Sequence, residues 1–254
     1  MKVTSVDDVA LQTPSALVYG DSGIGKTTSL KTLTPAETIV AVSERGLVPL
    51  RGMNFLAVYQ LETWEDIQEL YGMLTSTDDE TIKQCKWLAI DSLSGISDLC
   101  VQHILEVDRK ALMKERTNGK RDTPSGIYKE QMTLEDWGLH HSRMGNLVAA
   151  FTSLPIYVIM TAMAAWSKDL AGGDTQRAPD FAGKFARVLP KYFDEVLYMT
   201  DRGTGDKPQR VWQTFHSGRI IARDASGKLD PYEETNWTKL YAKILNGGTK
   251  NESR

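Results

Sequence analysis

The stretch ALVYGDSGIGKTTSLKTL, residues 16–33, holds three glycines, two lysines and three threonines in eighteen positions. It begins as an apolar run, Ala16 to Tyr19, with the character of a buried strand, and it ends in a helical pattern. Between the two, Gly20, Gly25, Lys26 and Thr27 satisfy the spacing G-x-x-x-x-G-K-[ST] at every position. Glycine admits backbone conformations that side chains block. Successive N–H groups along Gly20, Asp21, Ser22, Gly23, Ile24 and Gly25 can therefore turn inward around an anion. The helix that follows, through Thr28, offers its positive end to the same anion. Lys26 would reach the β- and γ-phosphates, and the Thr27 hydroxyl would ligate Mg²⁺. The stretch predicts a loop that binds ATP with Mg²⁺.

A magnesium site needs a second anchor. In KWLAIDS, four apolar residues from Trp87 to Ile90 carry Asp91 to the carboxyl end of a strand, the edge where open α/β sheets bind ligands. Asp91 would hold Mg²⁺ through water; it also fits an ordinary strand-ending Asp that caps the next helix. Hydrolysis further requires a group that orients or deprotonates water. Many ATPases place Glu directly after the strand-ending Asp, and here Ser92 stands there. Glu44, just past the apolar run TIVAV, is the alternative if that strand lies near the phosphate-loop strand. A solvated loop carboxylate fits Glu44 equally well.

Working outward, short apolar runs predict strands at Ala16–Tyr19, Thr38–Val42, Phe55–Leu61, Trp87–Ile90, Ile156–Met160 and Val196–Met199. Helical patterns lie between them. One opens at Thr63 in TWED; another opens at Thr133 in TLED and runs through Trp137, His141, Met144 and Leu147 to Phe151. This alternation predicts an α/β fold, a mostly parallel sheet flanked by helices. After Met199 the rhythm changes: QRVWQTFH and RIIARD read as a late β-hairpin joined through Ser217 and Gly218. A last helix is expected over Glu234–Leu245, before a polar tail from about residue 247. Two long polar segments, Lys114–Glu130 and Trp166–Lys184, read as functional or disordered loops.

At 254 residues with 41% hydrophobic and 25% charged residues, the chain suits one domain with a sizeable core. A net charge of −3 offers no global attraction to nucleic acid or anionic membrane, so a polyanion must meet a local basic patch. Cys85 and Cys100 lack C-x-x-C spacing and read as reduced structural thiols. The first residues, MKVTSVDDVALQ, lack the apolar core of a secretion signal, and no run approaches the ~18 apolar residues of a membrane span. A soluble cytoplasmic protein is expected. His140 and His141 lack Cys or acidic spacing for zinc, and no Ser/His/Asp set suggests acyl transfer.

GDSGIGKT, AVSERG, LAIDSLS and YVIMTAM, in this order, resemble the RecA-like recombination ATPases, most of all the compact phage ATP-binding proteins of single-strand annealing and recombination. The resemblance covers Ser15 to about Asp224 and implies a RecA-like P-loop NTPase core. It implies that Glu44 activates water and that Thr161, after the YVIM strand, senses the γ-phosphate. Trp166–Lys184 falls where such proteins carry a mobile DNA-binding loop, and Lys114–Glu130 would be a counterpart of the other. In GRIIARDASGKL, Arg219 or Arg223 becomes a candidate for sensing a neighbour's phosphate; either also fits a hairpin surface. The resemblance further implies a homo-oligomer, single-stranded DNA, and recombination or single-strand-binding proteins as partners, in host cytoplasm if phage-encoded.

The residues themselves support part of this. Lys168, Arg177, Lys184 and Arg187 make the second loop region basic, and Trp166 and Phe181 could stack bases. A solvated loop with locally packed aromatics fits equally. The expected function is an ATPase acting on single-stranded DNA. A nucleotide-dependent protein-interaction switch without DNA, and a small-molecule kinase, stay open beside it.

Overall fold

The computed structural model describes residues 13–76, 79–108, 132–168, 175–181, 185–204 and 207–246. Strand β1 (Ala16–Gly20) leads through the phosphate-loop stretch to the one-turn helix α1 (Lys26–Ser29). Strands β2 (Thr38–Val42) and β3 (Ala57–Gln60) follow, then helices α2 (Trp64–Thr75) and α3 (Glu80–Gln84). Strand β4 (Trp87–Asp91) delivers the chain to α4 (Leu93–His103), and α5 (Leu134–Thr152) precedes β5 (Tyr157–Lys168). The remaining elements are β6 (Thr175–Pro179), α6 (Phe185–Val188), β7 (Glu195–Asp201), β8 (Arg210–Gln213), β9 (Arg223–Asp224), β10 (Tyr232–Glu234) and α7 (Trp237–Asn246).

The sheet runs β10-β8-β7-β1-β5-β4-β2-β3, with β6 joined to β5 and β9 to β7. From β7 to β3 every neighbouring pair is parallel; the additions β6, β8, β9 and β10 are antiparallel. The mostly parallel sheet with flanking helices is thus the one the apolar runs called for. Side chains alternate across it with the period of a strand. Leu17, Tyr19, Ile39, Ala41, Leu88 and Ile90 pack on one face with Ile67, Ile96, Met144 and Phe151. Ala16, Val18, Val40, Val42, Trp87 and Ala89 face the other way, onto Leu30, Trp212, Trp237 and Tyr241. Both faces being covered, the central strands read as continuous apolar runs rather than as alternation.

The helix starts at Thr63 and Thr133 form as expected. Each threonine hydroxyl accepts from the N–H three residues on, and Asp66 or Asp136 reaches back to the cap N–H. Cys85 and Cys100 are free and buried, and burial pushes their thiols up to about 11 and about 12. Among the described residues no helix is long and apolar enough to cross a membrane.

Four expectations change. The helix after the phosphate loop is α1 alone, continued as a 3₁₀ turn over Leu30–Thr32, so little macrodipole stands behind the loop. The YVIM strand does not stop at Met160. It runs to Lys168 and folds back on β6, so the first part of the segment read as a long loop is a β-hairpin, with Trp166 opposite Arg177. QRVWQTFH and RIIARD do not pair with each other along their length: β8 pairs with β7 and β10, while β9 pairs with β7. Only the turn between the runs closes as foreseen, through two backbone hydrogen bonds between Ser217 and Ile220. Finally, α7 starts at Trp237, because Tyr232–Glu234 is taken into the sheet edge. The segment Lys114–Glu130, Lys184 and the tail from 247 lie outside the described residues.

Candidate active site

β1 and β4 end on the same edge of the sheet, with β5 between them. Gly20 closes β1, and the loop that follows passes through Gly23 at φ 73° and Gly25 at φ 112°, left-handed values that a residue with a Cβ resists. Asp21, Ser22 and Gly23 are exposed, Ile24 packs partly against the core, and Thr28 sits half-buried inside α1. Lys26 is buried, and its Nζ donates to the carbonyls of Gly20 and Asp21, both at 2.9 Å. Burial lowers its pKa from the usual lysine value, while the charges of Asp91, Glu44 and Asp21 pull it the other way. The ammonium is held at the mouth of the loop by two carbonyls, with three carboxylates near enough to act on its charge.

Asp91 joins the site to the sheet. Its Oδ2 accepts the Thr27 hydroxyl at 2.6 Å, and its Oδ1 accepts the Thr161 hydroxyl. Thr161 is fully buried inside β5, in register with Val18 of β1, so its reach to Asp91 is set by strand pairing rather than by a loop. A neutral hydroxyl beside a carboxylate is a set of hard oxygen donors, the chemistry Mg²⁺ prefers. Thr27 and Asp91 therefore fit that ion.

Glu44 follows β2, which pairs directly with β4. The Ser92 hydroxyl donates to Glu44 Oε1 and accepts the Gly95 N–H at 3.2 Å, capping α4. One residue thus caps a helix and anchors the carboxylate, which accounts for serine where many ATPases place Glu. Ser43 completes the junction, its hydroxyl donating to the Ser92 carbonyl at 2.7 Å. Gly95 makes room for it: a Cβ there would lie 2.4 Å from Ser43 Oγ and 2.8 Å from Glu44 Cγ. Glu44, Lys26, Thr27, Asp91 and Ser92 line one cavity of about 170 Å³ together with Ser22, Gly23 and Met163. Asp98 on α4 was not foreseen. Burial raises its pKa first, and the nearby Glu44 and Asp180 charges add to the rise.

The residues read as contacts for nucleic acid separate. Arg177 does not project from a loop: its Nη2 pairs with both carboxylate oxygens of Asp21, at 2.5 and 2.6 Å, and its guanidinium lies 4.7 Å from the Trp166 ring centre. Trp166 is 59% exposed, whereas Phe181 is core, edge-on to Phe185 at 5.4 Å. Phe181 is therefore part of the core and offers no exposed ring. Lys168 ends β5 opposite Thr175. Arg219 is exposed in the turn at 217–220 and lines a cavity of about 300 Å³ with Trp166, Thr175 and Gly218; Arg223 is exposed on β9. His140 is buried with Nε2 at 2.9 Å from Ser97 Oγ, and burial lowers its pKa to about 4. Among the described residues no cluster of three or more His, Cys, Asp or Glu is placed to hold a metal.

Two neighbours of the loop had no signal in the sequence. Arg210 of β8 reaches Gly25, where a Cβ would lie 3.0 Å from its Nη1. Met163 Sδ lies 3.5 Å from Lys26 Nζ. Both come from strands distant along the chain and belong to no spacing rule.

Compared with known proteins, the chain is similar in structure to a KaiC-like protein from the hyperthermophilic archaeon Pyrococcus horikoshii OT3, at 17% identity over 78% of this chain and 76% of that one, with a TM-score of 0.40. It is also similar to the RadB recombinase, at 14% identity over 81% and 82% of the two chains, with a TM-score of 0.43. No curated protein matches it in sequence. A family model described as an AAA domain matches residues 12–226, from before β1 to beyond β9. With most of its length inside that match, the loop Gly20–Thr27 included, the chain belongs to the AAA domain family.

Proposed function

We propose that this protein binds ATP with Mg²⁺ and hydrolyses it, using Glu44 as the group that orients and deprotonates water. One observation carries the reading: Lys26, Thr27, Asp91 and Glu44, drawn from three separate stretches of sequence, line a single cavity at the carboxyl edge of the sheet. Thr27 and Asp91 would hold Mg²⁺, which when bound would neutralise charge on the terminal phosphates. The loop N–H groups and Lys26 bind the phosphate oxygens and fix their orientation. Glu44 takes the proton of the attacking water, its carboxylate held by the Ser92 hydroxyl. Thr161, hydrogen bonded to Asp91, is the buried member that reports on the γ-phosphate.

The work of this cycle is proposed to be on single-stranded DNA, in recombination or annealing. Support comes from the exposed Trp166 beside Arg219, a stacking surface next to a cation on an otherwise acidic protein. Assembly into a homo-oligomer, with Arg219 or Arg223 reaching a neighbour's phosphates, belongs to the same proposal.

Glu44→Gln is expected to keep ATP affinity and to lower turnover by about 100-fold or more, the usual contribution of a positioned base. Unchanged hydrolysis would reject the assignment. A titration of labelled single-stranded oligonucleotide, with and without ATP, is expected to show binding that weakens as salt rises. No salt-sensitive binding in either state would remove DNA and leave a nucleotide-dependent protein switch.

A further inference from the structure

Arg45, the residue after Glu44, lines the same cavity of about 170 Å³. Its backbone is placed by the end of β4. Ser43 N donates to the Asp91 carbonyl at 3.0 Å, and Ser92 N donates to Ser43 Oγ at 3.2 Å. With the hydroxyl bonds of Ser43 and Ser92, these fasten residues 43 and 44 before the chain turns away. In the sheet β5 and β4 lie between β1 and β2, so Arg45 stands on the wall opposite the phosphate loop. Gly46 follows in open space, where a Cβ would meet nothing within 4 Å. The exposed side chain of Arg45 therefore has room to turn into the cavity.

Four lining residues carry charge: Lys26 and Arg45 against Glu44 and Asp91. Lys26 is already engaged, its Nζ donating to two carbonyls while both carboxylates act on its charge. Arg177, the guanidinium on the outer side of the loop, is paired with Asp21. Arg45 differs. Among the described residues it has neither a carboxylate within ion-pair distance nor a hydrogen-bond partner for its side chain. A γ-phosphate placed beside Glu44 and Asp91 faces two like charges, which repel it strongly where water is thin. A second cation offsets that repulsion, and a guanidinium does so with a planar fork matched to two phosphate oxygens.

We infer that Arg45 is a catalytic residue acting within its own chain: its guanidinium engages the γ-phosphate oxygens and holds them more tightly as the phosphoryl group transfers. The inference rests on the ATP reading above and deepens it, naming the group that recognises the third phosphate from the Glu44 side. In the step, the oxygen of water bonds to the γ-phosphorus while the bond from that phosphorus to the β,γ-bridging oxygen breaks. The electron pair of the broken bond stays with ADP, and the water proton passes to Glu44. Arg45 exchanges no proton. It supplies hydrogen bonds and positive charge where negative charge collects.

The test compares the full-length wild type with Arg45→Ala and Arg45→Lys. Each is titrated calorimetrically with ADP and with the non-hydrolysable β,γ-imido analogue of ATP, both with Mg²⁺, and its ATP turnover is measured. In Arg45→Ala, ADP affinity is expected to stay at the wild-type value while analogue affinity falls about ten-fold, the worth of one charge-assisted hydrogen bond. Turnover is expected to fall about 100-fold or more, as for loss of one preorganised donor. Arg45→Lys keeps the charge without the fork and is expected to recover analogue affinity but little turnover. Mixing Arg45→Ala with Glu44→Gln should restore nothing, since each chain then lacks one group of its own site. Wild-type analogue affinity and turnover in Arg45→Ala, an equal loss for ADP and analogue, or recovery on mixing would overturn the inference and leave ATP binding standing. Absence of nucleotide binding to the wild type would instead overturn the reading beneath it.

Discussion

Asp91 accepts two threonine hydroxyls at once, one from the loop and one from the neighbouring strand, and this ties the order of the site to the register of the sheet. Gly25 is the backbone counterpart. At φ 112°, with Arg210 within 3.0 Å of its missing Cβ, it tolerates no side chain without strain. Gly25→Ala is therefore expected to abolish detectable ATP binding while the far-UV circular dichroism of the sheet is kept; binding within two-fold of wild type would contradict the loop geometry. At this scale the sequence was informative where chemistry is local. Gly20 to Thr28 declare themselves by spacing, and Asp91 by its place at the end of an apolar run. Ser92 and Arg210 were not legible as partners. Their roles depend on which strands come together, and hydrogen bonds such as Ser92 to Glu44 join positions far apart in the chain.

Among the elements, the strands buried on both faces and the two capped helices were readable because apolar runs and capping boxes are short-range signals. The hairpin of β5 and β6 was not. Its polar, glycine-bearing sequence reads as loop, and it is held by contacts no window shows: Tyr19 Oη donates to the Arg177 carbonyl at 3.1 Å, and Arg177 N donates to the Arg219 carbonyl at 2.6 Å. The first bond fastens the hairpin to β1, the second fastens it to the turn at 217–220, and the Arg177–Asp21 pair fastens it to the phosphate loop. If the hairpin presents Trp166 to DNA, Trp166→Ala should weaken single-stranded oligonucleotide binding roughly ten-fold, within the range of one base–aromatic stack, and leave ATP affinity unchanged. Equal DNA affinity for variant and wild type, measured by fluorescence anisotropy, would place the strand elsewhere.

For the molecule as a whole, the parallel sheet carries one buried liability on the edge opposite the loop. Glu195 opens β7 and is 1% exposed; its Oε1 accepts the Ser226 N–H at 3.2 Å, and among the described residues its Oε2 has no partner. Burial, reinforced by the Asp224 charge, pushes this carboxyl up to about 8. The folded state then holds a proton that the unfolded state, with an ordinary value of 4.5, has released. Its stabilising share is present in full below pH 4.5 and is lost as pH rises through about 8. Glu195→Gln should therefore flatten the fall in melting temperature across that window and raise stability at its upper end; an unchanged pH profile would show that Glu195 is ionised in the fold. At the other edge, where loop, ammonium and carboxylates converge, ATP binding is checked by calorimetric titration of ATP with Mg²⁺ into the wild-type protein and Lys26→Ala. One saturable site is expected in the wild type, with affinity at least about ten-fold lower in the variant, roughly 1.4 kcal/mol or more; equal heats and equal affinity in both proteins would rule out triphosphate binding at this loop.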